Sequence, residues 1–200
     1  MMKGDDLMKK TLRSKSVLHL VGAAMFLAAG LILPFFTGQI PQIGSMLLPM
    51  HLPVLLCGLL CGWQYGGAVG AVLPLLRYVL FGMPPIFPTG VAMTFELACY
   101  GLLAGFLYAH SRWKCIASLY RSLLAAMVAG RLVWGGVQLL LAGVTGEPFT
   151  LQLFIAGAFF SAIPGIVLQL VFIPLLMAAL HRTGMIVFSK RRKPDTAYKA

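Results

Sequence analysis

The sequence predicts an all-α membrane protein: a six-transmembrane-helix bundle with both termini cytoplasmic and an outward-facing pocket. Three observations predict it. Apolar residues make up 60% of the 200 and charged residues only 10%, against roughly half and a quarter in a soluble domain. The apolar residues fall in continuous runs rather than in the alternation of a transmembrane β-barrel. The basic residues lie on one side of those runs. A crossing helix needs roughly 20 apolar residues, so the chain holds about five to seven crossings and no separate soluble domain. A disordered chain is excluded by the same composition. Four Cys in 200 residues are not a disulfide framework.

Residues 1–16 form a basic cytoplasmic N-tail, 17–181 the transmembrane domain, and 182–200 a basic cytoplasmic C-tail. Span 1 is Val17 to Phe36 and carries no formal charge. It is long for the apolar core of a signal peptide, and no small-x-small cleavage site follows cleanly. Span 2 runs from Met50 to about Trp63, and span 3 from Gly66 to Gly82. The glycine-rich stretch Gly62 to Gly67 makes the tight turn between them. Three prolines in Met83-Pro84-Pro85-Ile86-Phe87-Pro88 break the chain again, because proline removes a helix donor and clashes with the preceding turn. Span 4 covers Pro88 to Ala109 and span 5 Ile116 to Gly143, the latter long enough to tilt. Span 6 is expected from Leu151 to Leu180, kinked at Pro164 and Pro174.

Orientation follows from charge. The N-tail carries Lys3, Lys9, Lys10, Arg13 and Lys15, and the region between spans 4 and 5 carries Arg112, Lys114 and Arg121. The C-tail carries Arg182, Lys190, Arg191, Arg192, Lys193 and Lys199. Of the 16 Lys and Arg, only Arg77 and Arg131 lie elsewhere. The opposite loops carry Glu147 and no basic residue. This asymmetry places both tails in the cytoplasm and supports an even number of spans. The net charge of +11 therefore marks membrane flanks. No basic stretch with interleaved aromatics is long enough to bind nucleic acid.

Small residues recur every four positions: Gly58, Gly62, Gly66 and Gly70, then Gly101, Gly105 and Ala109, then Gly157, Ser161 and Gly165. Such stripes let helices approach closely in lipid. Ala24 and Ala28 form a similar patch on span 1, a terminal helix, where it could face another protein.

The chain contains no nucleophile elbow, Walker motif, zinc-binding HExxH or dinucleotide-binding glycine loop, so it offers no catalytic constellation and implies no cofactor. Cys57 and Cys61 share a helical face, but no further ligand stands nearby in sequence, so small apolar packing is favoured over a metal. Three charges do fall inside spans: Arg77, Glu96 and Arg131. Buried charge in a bilayer costs on the order of 3 kcal/mol and normally faces the bundle interior with a partner. At 1.5 Å per residue, Arg77 lies about 7 Å, Glu96 about 12 Å and Arg131 about 18 Å below the outer ends of their spans. His51 opens span 2 and Gln152 span 6 at the outer face, with Gln138 above Arg131. The inner halves are nearly bare apart from Gln169. The candidate substrate-binding residues are therefore Met50, His51, Arg77, Glu96, Arg131, Gln138 and Gln152. A plain structural Glu96–Arg131 pair locking spans 4 and 5 is the competing reading, and it leaves Arg77 unexplained.

The stretch from Leu48 to Tyr108 resembles the substrate-binding S component of energy-coupling factor (ECF) transporters, the bacterial vitamin importers. The resemblance is carried by LPMHLPVLLCG, the glycine-rich turn, GMPP and MTFELACYG. With the six-span layout it extends over roughly residues 15 to 182. It implies a vitamin or related nutrient bound from outside, then delivery through a transmembrane T subunit and two cytoplasmic ATPase subunits in the bacterial cell membrane. Ala24 and Ala28 fall where the family keeps an AxxxA motif that docks the T subunit. The Thr37–Met50 loop falls where family members close over substrate. A fixed charge at Arg77 is not expected of the family generally, which suggests a ligand particular to a subgroup.

Two arginines against one glutamate favour a carboxylate such as pantothenate or nicotinate over a cation such as thiamine. The Thr37–Met50 and Met83–Pro88 loops are expected to form a lid. The rival readings are a stand-alone membrane carrier or channel, and a lipid-modifying membrane enzyme. The enzyme reading lacks an acid cluster or metal motif.

Overall fold

The computed structural model describes residues 3–37, 47–145, 150–157 and 162–183. These residues are helical almost throughout and contain no β-strand element. Helix α1 (Lys3–Ile32) is continuous from the basic tail through span 1 and tightens into a 3-10 turn at Leu33–Thr37. Pro34 in that turn lacks the N–H that would extend the α-helix. Helix α2 (His51–Cys61) joins helix α3 (Trp63–Phe81) through Gly62 alone. Gly62 adopts φ +109, a backbone state that side-chain-bearing residues rarely reach. Helix α3 ends at Gly82, in the left-handed conformation, whose N–H bonds the Tyr78 carbonyl. A short π-type turn at Ile86–Gly90 leads into helix α4 (Val91–His110). Then follow helix α5 (Ile116–Thr145), the single-turn helix α6 (Leu151–Ile155) and helix α7 (Ile163–Arg182).

Among the described residues four segments are long and apolar enough to cross a membrane: Ser16–Phe36, Ile86–His110, Ile116–Thr145 and Ile163–Arg182. Helix α3 has 19 residues, about 28 Å at 1.5 Å per residue. Gln64, Arg77 and its glycines lower its apolar character. Helix α2 has only 11 residues, about 16 Å, or half of a hydrocarbon core. The second expected span is thus shorter than its sequence run. Of the sixth, the structure gives α6 and α7 as separate elements, with 158–161 outside the described residues. Pro164 does not kink a continuous helix; it occupies the first turn of α7, where its missing N–H costs nothing.

Glycine sets how α2, α3 and α4 meet. A Cβ on Gly58 would strike the Gly101 carbonyl oxygen, and one on Gly101 the Gly66 carbonyl. A Cβ on Gly70 would strike the Leu97 carbonyl, and one on Gly105 the Gly58 carbonyl. These obstacles are backbone atoms, so no side chain can move aside. Gly62, the remaining member of the first stripe, has nothing within 4 Å and serves the turn instead. Residues 158–161, which include Ser161, lie outside the described residues.

The contacts also give direction. Gly66 abuts Gly101 while Gly70 abuts Leu97, so α3 and α4 are antiparallel. His19 lies against Tyr65, Gly30 against Leu73 and, just past α1, Phe35 against Phe81, so α1 and α3 run the same way.

Two apolar clusters fill the bundle. One joins Leu52, Leu55 and Leu56 of α2, Tyr100, Ala104 and Tyr108 of α4, Leu119, Leu123, Ala126 and Met127 of α5, and Ile173 and Met177 of α7. The other gathers Ala23, Met50, Val54, Cys57, Cys61, Val69, Leu73 and Leu97 between α1, α2, α3 and α4. Cys57 and Cys61 are thus packing residues in an apolar environment. Outside these clusters the helices expose large side chains such as Val79, Leu140 and Val171, as a lipid-facing surface does.

Candidate functional site

Three of the expected residues converge at one end of the first cluster. His51 begins α2, Glu96 stands in the second turn of α4, and Arg131 lies midway along α5. The antiparallel α4–α5 hairpin, closed by the 111–115 turn, brings Glu96 opposite Arg131. Gly130 admits the Tyr100 ring against α5, since a Cβ there would fall within 3.0 Å of that ring. Glu96 Oε1 lies 3.0 Å from Arg131 Nη1 and 3.4 Å from His51 Nε2. Their relative exposures are 1% for His51, 2% for Glu96 and 5% for Arg131.

The pairing is incomplete. Nη1 of the guanidinium faces Glu96 as an ion pair, but Nε and Nη2 are buried without a hydrogen-bond partner, as are both ring nitrogens of His51 and Glu96 Oε1. Nε and Nη2 form one edge of the guanidinium plane, which can give two parallel hydrogen bonds to a carboxylate or phosphate. Buried donors are normally satisfied, and each orphan costs about 1–3 kcal/mol. A fixed, dry, two-donor edge beside an apolar cluster is an arrangement that can hold an anion.

The other expected residues are placed differently. Arg77 is buried near the C-terminal end of α3, donates from Nη1 to the Leu31 carbonyl at 3.0 Å, and lies 5.7 Å from the centroids of both Phe35 and Phe81. The guanidinium thereby fastens α3 to the end of α1, and among the described residues its hydrogen bond and ring contacts are with Leu31, Phe35 and Phe81 rather than with Glu96 or His51. Met50 is buried in the second cluster. Gln138 is half-buried on α5, and Gln152 is exposed on α6. Ala24 and Ala28 are both exposed on α1, on a helix that also exposes Val17, Val21, Met25 and Ile32. Of the expected lid, the Met83–Pro88 segment is described, with cis peptide bonds at Met83-Pro84 and Phe87-Pro88. Residues 38–46 of the first loop lie outside the described residues.

Sequence reasoning passed over Tyr100. Its ring meets the His51 ring edge-on at 5.1 Å between centroids, and it lies within electrostatic reach of both Glu96 and Arg131. The signal was present: Glu96, Tyr100, Ala104 and Tyr108 are spaced by four and share one helix face, which is buried throughout. Among the described residues no group of three His, Cys, Asp or Glu could hold a metal ion.

Searches of the curated proteins and of the solved structures find no match. A family model described as "ECF transporter, substrate-specific component" matches residues 18–189, from the beginning of the first membrane span to beyond the end of α7. The match takes in every residue of the polar cluster and the exposed alanines of α1. The chain belongs to the family of ECF transporter substrate-specific components.

Proposed function

We propose that this chain captures a small carboxylate-bearing nutrient of vitamin size, pantothenate being the leading example, from outside a bacterial cytoplasmic membrane. It delivers that nutrient inward with a T subunit and two ATPase subunits. The observation that carries the ligand reading is the unpartnered Nε–Nη2 edge of Arg131. Glu96 holds the guanidinium from the other side and His51 braces Glu96, so the edge is set before a ligand arrives. The carboxylate of a ligand would then gain two charge-assisted hydrogen bonds beside an apolar cluster, where they are stronger than in bulk water.

The proposal includes six crossings with both termini inside. Its topological support is the shared direction of α1 and α3: the chain must return between them, and α2 is that return. Basic residues on the two tails and the α4–α5 turn support the orientation. The exposed Ala24 and Ala28 are the proposed docking patch for the T subunit, because small residues admit close helix approach. The Met83–Pro88 segment and the first loop are the proposed lid, and Met50, Gln138 and Gln152 would serve its rim.

The test is purification of the tagged chain from native membranes. Co-purification of one further membrane subunit and two ATPases, with a small acid bound to the chain, is the expected result. A chain that purifies alone with a bound cation would overturn the reading.

A further inference from the structure

We propose that Gln169 on α7 completes the ligand site and donates its amide N–H to a neutral acceptor on the ligand, remote from the carboxylate. The inference rests on the reading of Arg131 as the anion-binding edge. Gln169 is 2% exposed, and its Nε2 has no hydrogen-bond partner. An apolar side chain of similar length would fill the same space without an orphaned donor.

Its place in the fold gives the orphan a meaning. The buried members of the first apolar cluster end on its four helices at Leu52, Tyr100, Met127 and Ile173, with partly buried Leu170 and Ile166 packed against it further along α7. Continuing along the helices, the next buried residue with a polar side chain is His51 on α2, one turn from Leu55. On α4 it is Glu96, four before Tyr100; on α5 it is Arg131, four after Met127; on α7 it is Gln169, four before Ile173. Four residues make about one helical turn, so each of these stands directly above a cluster residue. All four of these residues are polar, all are buried, and His51, Arg131 and Gln169 each retain an unpartnered nitrogen. Three of them are already joined around Glu96. The remaining wall of the same layer belongs to α7, and Gln169 supplies it. The amide carries no charge, so it suits a hydroxyl, an amide carbonyl or a ring nitrogen. A ligand held at Arg131 by its carboxylate and at Gln169 by such a group is fixed at two points, and this selects against simple fatty acids.

The experiment uses intact cells and a membrane-impermeant methanethiosulfonate applied from outside. His51→Cys, Gln169→Cys and Ile173→Cys are tested one at a time in the full chain, with modified sites located by peptide mass mapping. The expected result is modification of His51→Cys and Gln169→Cys and none of Ile173→Cys one turn deeper. If His51→Cys reacts and Gln169→Cys does not, this inference fails while the Arg131 site stands. If neither reacts, the outward site fails, and this inference with it. Reaction of Ile173→Cys also overturns it, because the whole α7 face is then merely open. A second variant separates ligand contact from structural support. Gln169→Leu should keep or raise the thermal midpoint, since it removes an unsatisfied amide. A fall of about 3 °C or more would identify Gln169 as a structural partner and overturn the proposal.

Discussion

Replacing Arg131 with methionine tests the pair and the ligand edge together. Glu96 is 2% exposed. Without Arg131, its Oε1 keeps only His51 Nε2 at 3.4 Å. Breaking a buried pair by deleting one partner typically costs about 3–5 kcal/mol, because the survivor is left as an uncompensated charge. For a chain of this size that is on the order of 10 °C in thermal midpoint. Adding Glu96→Gln should restore most of the loss, since no charge then remains buried. The double variant should lie within about 1 kcal/mol of wild type, the net worth of the lost hydrogen bonds. The stability recovered on adding Glu96→Gln to Arg131→Met is then about 2–4 kcal/mol, read from thermal unfolding in detergent. Ligand retention should behave otherwise. The double variant still lacks the Nε–Nη2 edge, so it should regain stability without regaining the ligand. A double variant as unstable as Arg131→Met would refute the pairing argument. A stable double variant that retains the ligand would refute the anion edge.

Gly101→Ala should cost about 1–3 kcal/mol, because its methyl meets the Gly66 carbonyl and the Gly67 backbone nitrogen. Gly136→Ala, with nothing within 4 Å, should leave the midpoint unchanged or raise it by up to about 1 kcal/mol of helix propensity. Arg77→Met should lower stability by about 2 kcal/mol through loss of its hydrogen bond to Leu31 and its stacking on Phe35 and Phe81. Ligand affinity should stay within about threefold, and a tenfold loss, about 1.4 kcal/mol, would return Arg77 to the ligand site. Ala24→Trp with Ala28→Trp should abolish assembly with the T subunit and uptake while leaving ligand retention by the isolated chain intact. Normal transport by that variant would remove the docking assignment.

How much of this was readable in the sequence differs between axial position and azimuth. Helix limits were legible because Gly62, Gly82 and the Met83–Pro88 prolines act locally. Depth was legible as well: counting residues from the breaks put Arg77, Glu96 and Arg131 in one half of the chain's helices. Which way each side chain turns was not legible. In a lipid-facing helix both faces are apolar, so the pattern that marks the inner face of a soluble helix is lost. Hence Arg77, near in depth to Glu96, points to α1 rather than into the polar cluster. Tyr100 was hidden for the same reason, although its spacing from Glu96 carries the information once the cluster is known. Counting span 6 from Leu151 puts Gln169 in the inner half, whereas α7 begins at Ile163 and Gln169 stands in its first half. The break before α7 escaped because Pro164 reads the same at a kink and at a helix start, and only the local hydrogen bonding separates them.

The most direct test of the central claim is native mass spectrometry of the chain purified from membranes, with wild type and the Arg131→Met, Glu96→Gln double variant side by side. The account predicts that wild type carries one small carboxylic acid with a neutral acceptor elsewhere in the molecule, and that the equally stable double variant carries none. A cationic compound on wild type, or the same acid retained by the double variant, would contradict it.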